Sequence, residues 1–254
     1  MGKNIAILLS CLTGGGAERV AAELSQFLVR EGHHVYIFTE KKYSGYSAGY
    51  QFAGKIVVLK PGKVGYGKLG QLGNLYYLAK ELRKQKKKFH IDIAVSFMEL
   101  YNLANILSKR KEKIIVRVCT ILSARKDLED IYQNKFLIRV LYNKANRVVT
   151  LSEYGKRDLI NNYGIKDFKV NVIPNAVIPR EFDDTIPWMY GDQVILNVNR
   201  VHPIKQQGIL VDVIEEILPV LPEVKLLLVG HDGEDYAKEL KKRVKRRGLE
   251  KNGR

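Results

Sequence analysis

The sequence contains little cysteine, little acid and no long apolar run, and each shortage excludes a class of protein. Two cysteines in 254 residues cannot build the disulfide framework of a small secreted domain, so a reducing cytoplasm is the simpler setting. Cys11 and Cys119 follow apolar runs, where free cysteine packs as a small buried residue. No run approaches the ~18 apolar residues that indicate a membrane span. Because 46% of the residues are hydrophobic, the chain can still bury a core.

Acidic residues are outnumbered: 27 Asp and Glu face 43 Lys and Arg, which gives a formal charge of +16. Such an excess favours an anionic partner, either a phosphorylated substrate, an anionic lipid surface or nucleic acid. Much of the charge lies in residues 80–88 and 241–247, and runs of this kind usually form the solvated face of a helix. No recognised zinc-finger spacing or RNP-type aromatic signature accompanies them, so nucleic acid is not predicted as a partner.

The first residues contain two incomplete targeting patterns. Lys3 and the apolar stretch 5–12 resemble a lipoprotein signal, but the stretch is short and continues into a strand–loop–helix pattern. Gly2 begins a myristoylation pattern, yet Ala6 stands where Ser or Thr is required. We expect neither signal to operate.

Apolar runs alternate with helical patterns along most of the chain, which predicts a doubly wound α/β fold. The predicted strands are 5–9, 34–39, 56–59, 91–96, 114–119, 147–151, 169–175, 194–199 and 224–229. Glycine-rich turns are expected up to Gly73, followed by a basic helix over 75–87.

The alternation divides into two domains. Residues 1–178 form a first Rossmann-like domain, residues 179–191 a proline-containing linker, and residues 192–254 a second Rossmann-like domain. The second shows only strand, helix, strand, helix, whereas a domain of this type usually has ~100–150 residues. We therefore expect the second domain to be incomplete in this chain.

The most informative loop directly follows the apolar run 194–198. It contains Arg200 and Lys205, and a helix is predicted to begin near Gln207. Ligands bind at the carboxyl ends of parallel strands in α/β proteins. Two cations close to the free N–H groups of a helix N-terminus suit a diphosphate, although two basic residues in a loop can also be solvated charges.

A second glycine-rich loop, Gly14-Gly15-Gly16, follows the first strand. A dinucleotide-binding loop is the alternative interpretation, since Glu40 ends the second strand where a ribose-binding acid would lie. However, Arg19 occupies the position of the third glycine, which close helix–strand packing requires. No Gly-Lys-Ser/Thr follows, so a Walker-type loop is excluded.

Several segments together resemble the retaining GT-B glycosyltransferases of family four. The segments are Gly15-Gly16-Ala17-Glu18-Arg19, residues 145–153, residues 169–175, the Arg200-x(4)-Lys205 pair and residues 226–233. The later Glu-x(7)-Glu motif of such enzymes is not reached, and Asn199 replaces a glycine common before the arginine. The segments occur in the family's order over nearly the whole chain.

The resemblance implies two Rossmann-like domains and transfer of a sugar from a nucleoside diphosphate donor to a saccharide or lipid-linked acceptor. The first domain would bind the acceptor, with Gly14, Gly15 and Gly16 lining the cleft. Arg200 and Lys205 would neutralise the departing diphosphate, so neither a cofactor nor a metal is expected. His202 and His231 lack ligand-like spacing.

No catalytic residue is identified, and Thr120, Ser123 and Arg125 receive no role although they lie where relatives approach the acceptor. The implied setting is synthesis of a capsule or another bacterial surface polysaccharide. The protein would be cytoplasmic, and the basic helix suggests peripheral binding to the inner, anionic face of the cell membrane. The alternatives are a related hexose epimerase, for which no acid/base carboxylate pair is found, and an inactive remnant that binds only acceptor or membrane.

Overall fold

The computed structural model describes residues 2–12, 15–40, 50–62, 64–65, 67–124, 131–176, 193–232 and 235–252. The chain divides into two compact units, Met1–Ile178 and Pro179–Arg254. The predicted linker, 179–191, lies outside the described residues.

Strands and helices alternate along most of the first unit. Its strands are β1 (Asn4–Leu8), β2 (His34–Thr39), β3 (Lys55–Val58), β4 (Ile93–Phe97), β5 (Lys113–Arg117), β6 (Arg147–Thr150) and β7 (Val170–Val172). Its helices are α1 (Gly16–Arg30), α2 (Gly67–Lys88), α3 (Glu99–Leu107), α4 (Lys135–Tyr142) and α5 (Glu153–Asn161), with single 3₁₀ turns at Ile131–Gln133 and Asp167–Lys169.

These strands form one parallel sheet in the order β3-β2-β1-β4-β5-β6-β7. Successive residues of β1 face opposite layers, as the two-residue period of a strand requires. Ala6 and Leu8 pack in the core formed with α2, α3 and α4, while Ile7 joins a second core that includes Ala21 of α1. Helices therefore cover both faces, and the predicted doubly wound α/β fold is confirmed.

The helix α2 begins earlier than predicted. Residues 67–73 were expected to be turns because of their glycines, yet the helix begins at Gly67 and includes Gly70 and Gly73. A Cβ on Gly70 would lie 2.5 Å from the Gly65 carbonyl oxygen, and one on Gly73 would lie 2.7 Å from the Val64 side chain. The glycines thus let the preceding loop rest on the helix. Among the described helices, none is both long and apolar enough to cross a membrane.

A network of buried polar side chains fixes α3 on the sheet. Asn102 accepts a hydrogen bond from Ser96 (2.7 Å) and donates to the Arg117 carbonyl (3.0 Å) and to the Tyr142 hydroxyl (3.1 Å). Asn105 donates to Ser96 Oγ (3.0 Å) and to the Ala94 carbonyl (3.2 Å). Since buried polar groups are costly without partners, the network specifies one position for α3.

The network ends at a buried ion pair. Lys86 Nζ lies 3.0 Å from Glu112 Oε1 and donates to Asn105 Oδ1 (2.6 Å) and Ser108 Oγ (2.8 Å). Burial lowers the pKa of Lys86 to about 8, although the Glu112 carboxylate opposes this shift. Lys86 therefore joins α2 to α3 from inside the protein, in the middle of a sequence run that was interpreted as a solvated face.

The second unit contains two parallel strands, β8 (Val194–Val198) and β9 (Lys225–Val229), and two helices, α6 (Gln207–Ile217) and α7 (Tyr236–Arg246). Its core contains Val201, Val211, Ile214, Leu226 and Leu240. Asp212 joins the helices by accepting from Arg243 (2.6 Å) and Arg247 (2.7 Å). The predicted strand–helix–strand–helix order is present in the described part of this unit.

Candidate active site

The strand order of the first unit reverses direction between β1 and β4. Their carboxyl ends are therefore a topological switch point, the place where open α/β sheets bind ligands. The loop after β1 leads to the glycines at the start of α1, and the turn after β4 consists of Met98 before α3 begins. Met98 is exposed and adopts φ 71°, a conformation that is strained for a residue with a side chain.

The glycine loop brings the start of α1 to this edge. Gly15 precedes the helix in an extended conformation, and its carbonyl accepts from the Arg19 amide at 3.0 Å. A Cβ on Gly15 would collide with the Glu18 side chain, whereas one on Gly16 would lie in open space. Gly14 lies outside the described residues.

Carboxylates dominate this edge. The Glu18 side chain folds back beside Gly15, so the positive end of the α1 dipole already has an anion close by. Glu99 opens α3 and is only 6% exposed. Glu40, considered above as a ribose-binding acid, accepts a hydrogen bond from the Tyr101 hydroxyl at 2.8 Å. Burial and the Glu40 carboxylate both raise the pKa of Tyr101, which therefore remains a neutral donor.

A buried cation, Arg117, also lies at this edge. Arg117 ends β5, stacks 5.9 Å from the centre of the Phe97 ring, and donates to Asn175 Oδ1 at 2.6 Å. Burial raises the pKa of the Cys119 thiol even though Arg117 lowers it in part, so Cys119 is not an activated nucleophile. The sequence did not single out Arg117, since it lies within an apolar run.

The other candidates near this edge have no chemistry assigned by the structure. Thr120 and Ser123 are exposed, and the Ser123 amide donates to Asp158 at 3.3 Å. Arg125 lies outside the described residues.

In the second unit, the structure places Arg200 and Lys205 on the loop between β8 and α6. Both side chains are exposed, and a 3₁₀ turn at Pro203–Lys205 separates them. Pairing between the strands continues into this loop, because the Asn199 amide donates to the Val229 carbonyl and the Val201 amide to the His231 carbonyl, each at 2.9 Å. The loop is therefore hydrogen-bonded to the segment after β9 and held at the carboxyl edge of the β8–β9 sheet.

Gln207 fixes the loop from inside. It is 1% exposed, donates to the Arg200 carbonyl at 2.9 Å and accepts from the His202 amide at 3.4 Å. Because these bonds bind backbone atoms, the Arg200 side chain itself stays available. The sequence suggested a helix start here but not that its first residue would anchor the loop.

Asn199 stands directly before Arg200, where a glycine is common in the family that the sequence resembles. The Asn199 carbonyl packs against Gly230, and a Cβ on residue 230 would collide with this carbonyl. The close approach is accommodated by the glycine of the neighbouring strand end.

One of the two loop histidines stabilises its own turn. His202 Nδ1 accepts from the Ile204 amide at 3.2 Å and so caps the 3₁₀ turn. Among the described residues, no group of three or more His, Cys, Asp or Glu side chains is arranged to hold a metal ion.

Comparison with known proteins identifies the family. Residues 14–181 match the model described as Glycosyltransferase Family 4, which covers more than half of the chain. The chain belongs to glycosyltransferase family 4. It is thus a sugar-transferring enzyme by family, which favours the transferase interpretation over the binding-only remnant.

A curated relative of this family-4 chain comes from Campylobacter jejuni. It is the N-acetylgalactosamine-N,N'-diacetylbacillosaminyl-diphospho-undecaprenol 4-alpha-N-acetylgalactosaminyltransferase, 24% identical over 92% of this chain and 71% of its own length.

Two solved structures show the same fold. Sucrose-phosphate synthase from Thermosynechococcus elongatus matches 99% of this chain and 69% of its own, with 15% identity and a TM-score of 0.76. Anabaena HepE in complex with UDP-glucose matches 99% of this chain and 68% of its own, with 20% identity and a TM-score of 0.67. The GT-B fold expected from the sequence is confirmed by these likenesses.

Proposed function

We propose that this family-4 glycosyltransferase moves a sugar, with retention of configuration, from a nucleoside diphosphate donor to a lipid-linked saccharide in the assembly of a bacterial surface polysaccharide. The observation that carries the donor half is the exposed Arg200–Lys205 pair on a loop that Gln207 and strand pairing hold in place. The Campylobacter relative's name, which specifies a diphospho-undecaprenol acceptor and an alpha product, supports the acceptor class and the stereochemistry.

The chemistry follows from the charges. The bond between the anomeric carbon and the diphosphate oxygen breaks, and the acceptor hydroxyl oxygen bonds to that carbon in its place. Negative charge accumulates on the leaving diphosphate, which takes up the proton that the acceptor hydroxyl loses. Arg200 and Lys205 stabilise that charge, aided by the N-terminus of α6, and preorganised cations of this kind are worth most where charge develops. No divalent metal is then required for the leaving group.

The acceptor half rests on the first unit. Its carboxyl edge carries Glu18, Glu40 and Glu99 with one buried arginine, which disfavours a second phosphate at the α1 N-terminus. Carboxylates instead accept hydrogen bonds from sugar hydroxyls. We place the saccharide part of the acceptor, rather than its diphosphate, next to Gly15 and Gly16.

The donor site is tested by calorimetric titration of the chain with UDP, GDP and ADP. Replacing Arg200 by Ala removes a charge-assisted contact worth about 1.5–3 kcal/mol, so affinity for the preferred nucleotide should fall about 10–100-fold, and Lys205→Ala should weaken it less. Lys225→Ala is the matched control, because Lys225 is an exposed cation at the opposite, amino end of β9.

Binding that is strong in the parent chain and unchanged in Arg200→Ala would refute the donor assignment. Equal losses in Arg200→Ala and Lys225→Ala would show that net charge, rather than this loop, attracts the nucleotide. The same variants assayed for sugar transfer to a diphospho-polyprenol saccharide extend the test to the acceptor class.

A further inference from the structure

The solvent face of α2 combines exposed apolar and cationic halves. Its first half exposes Leu69 (84%), Leu72 (44%) and Tyr76 (60%), which lie three and four residues apart and so share one face of the helix. Tyr77 stands beside Tyr76, with ring centres 5.4 Å apart. Single exposed apolar residues are ordinary, but a contiguous group on one helix marks an interaction surface.

The loop before the helix extends this apolar surface. Its Val64 is 56% exposed and packs over Gly73, while Asn74 secures the loop by accepting from the Val64 amide (2.9 Å) and donating to the Gly65 carbonyl (3.2 Å). Gly70 and Gly73, which obscured the start of α2 in the sequence, therefore let the loop with Val64 lie directly on the helix.

The second half of the same face is cationic. Its exposed basic residues are Lys80, Arg83, Lys84, Lys87 and Lys88. Within the described ranges, none of these five side chains forms an ion pair. Lys88 and Lys55 of β3 both lie over the Phe89 ring, at 5.5 and 5.2 Å, which extends the positive surface to the edge strand.

Helix α7 provides an internal comparison. It is equally basic, with Lys241, Lys242, Lys245 and Arg246 exposed, but it carries no large exposed apolar side chain. Charge alone therefore does not distinguish the two helices. What distinguishes α2 is the pairing of exposed leucine and tyrosine with cations on one face, the composition that lies in a lipid headgroup region.

We propose that the solvent face of α2, together with Val64 and Lys55, docks on an anionic lipid bilayer. Tyr76, Leu69 and Leu72 enter the headgroup region, where amphipathic tyrosine is favoured, and the cationic half faces the lipid phosphates. The helix precedes β4, so its N-terminal, apolar half lies at the carboxyl edge of the sheet, where Gln71 also contacts Tyr132 at 3.0 Å. The docking stands apart from sugar transfer, and its test measures binding only.

The test is cosedimentation of the chain with vesicles of phosphatidylcholine alone or with about one-third phosphatidylglycerol, at about 0.1 M and about 0.5 M NaCl. A cation variant, Lys84→Gln with Lys87→Gln and Lys88→Gln, should bind anionic vesicles about 100-fold more weakly, since each cation near such a surface contributes several-fold. An apolar variant, Leu69→Ser with Leu72→Ser and Tyr76→Ser, should lose the part of binding that persists at the higher salt.

The matched control removes the same charge from α7, by Lys241→Gln with Lys242→Gln and Lys245→Gln, and should change binding by less than about threefold. An equal loss in this control would overturn the proposal in favour of net charge. Full binding by a folded apolar variant would also overturn it, as would failure of the parent chain to bind anionic vesicles while it binds a single-stranded RNA probe.

A fluorescence measurement keeps the proposal testable if the apolar variant does not fold. In a Trp188→Phe background, Tyr76→Trp should shift its emission to the blue on anionic vesicles. Tyr154→Trp, at an equally exposed tyrosine on α5 (63%), should not. A shift at both positions or at neither would overturn the assignment of this face.

Discussion

Both units hold a helix in place with paired charged side chains, but at different depths. In the first unit the Lys86 and Glu112 side chains are 1% and 2% exposed. In the second, Asp212, Arg243 and Arg247 are 31–36% exposed. Water can replace a lost partner at the surface but not in the interior, so removing one ion should cost far more in the first unit.

The difference has a functional counterpart. In the first unit, the buried network runs from Lys86 through Asn105 and Asn102 to the carbonyl of Arg117, which lies at the candidate acceptor edge. In the second, the candidate donor loop depends on strand pairing and on two side chains, those of Gln207 and His202. We infer a rigidly specified acceptor edge and a donor loop that one substitution can loosen.

The largest expected effect is that of Glu112→Gln. It leaves the Lys86 ammonium buried without its counter-ion, which should lower the free energy of unfolding of the first unit by about 3–5 kcal/mol. Urea denaturation followed by far-UV circular dichroism measures the change. Lys86→Met/Glu112→Leu is the matched control, because it removes both charges. It should recover only part of the lost stability, since Asn105 Oδ1 and Ser108 Oγ then lose the hydrogen bonds that Lys86 donates to them. If Glu112→Gln were as stable as the parent, burial of the Lys86–Glu112 pair would not make the loss of one partner costly.

The next largest effect should be the pH dependence of the stability lost in Glu112→Gln. Burial opposes ionisation of Glu112, but Lys86 and backbone donors outweigh burial and lower the pKa of the carboxyl. The ionised carboxyl therefore contributes its full stabilisation above its ordinary pKa, and this stabilisation is lost as the pH falls through the lowered pKa. The pKa of Lys86 is lowered to about 8, so between there and its ordinary value of 10.5 the unfolded chain binds more protons and stability rises with pH.

Without Glu112 the lysine should lose its proton more readily still. The deficit of Glu112→Gln, measured by urea titration at pH 7 and again near the ordinary lysine pKa, should therefore shrink by about 1 kcal/mol at the higher value. A deficit independent of pH would mean that Lys86 is not the group left unsatisfied.

Sequence and structure agree where one local pattern decides the outcome. Continuous apolar runs predict parallel strands, and the loop holding Arg200 and Lys205 was expected at a strand end for that reason. Ser152 of the segment 145–153 caps α5 by accepting from the Gly155 amide at 3.1 Å, which a local capping rule also explains.

The disagreements come from partners that lie far apart in the sequence. Lys86 is indistinguishable from its basic neighbours until Glu112 and Asn105 are folded against it. Arg117 was hidden in an apolar run because its partner, Asn175, lies beyond two further strands and helices. Local composition cannot predict such pairs, because the desolvation of each charge and the partner that offsets it exist only in the folded protein.

A smaller effect is expected at the donor loop. Gln207→Ala removes the buried anchor of Arg200 and His202 and should weaken nucleotide binding by about 1–2 kcal/mol, with faster amide exchange in residues 199–206. Calorimetry and hydrogen exchange give the two readouts. Ile209→Ala, which trims an exposed side chain of the same helix, should change neither. Faster exchange with unaltered affinity would separate the loop's order from nucleotide binding and count against the donor site.

The smallest effect should come from Asp212→Asn. The carboxylate accepts from both Arg243 and Arg247, yet all three side chains are about one-third exposed, so water and salt screen the interaction. We expect the second unit to lose about 0.5–1 kcal/mol at low salt, measured by urea denaturation, and the difference to fade when salt is raised. A loss as large as that of Glu112→Gln, or one that salt does not reduce, would mean that depth of burial is not what separates the two units. The contrast would then have to lie in the number of hydrogen bonds each acid accepts, because Asp212 binds two guanidinium groups where Glu112 faces one ammonium.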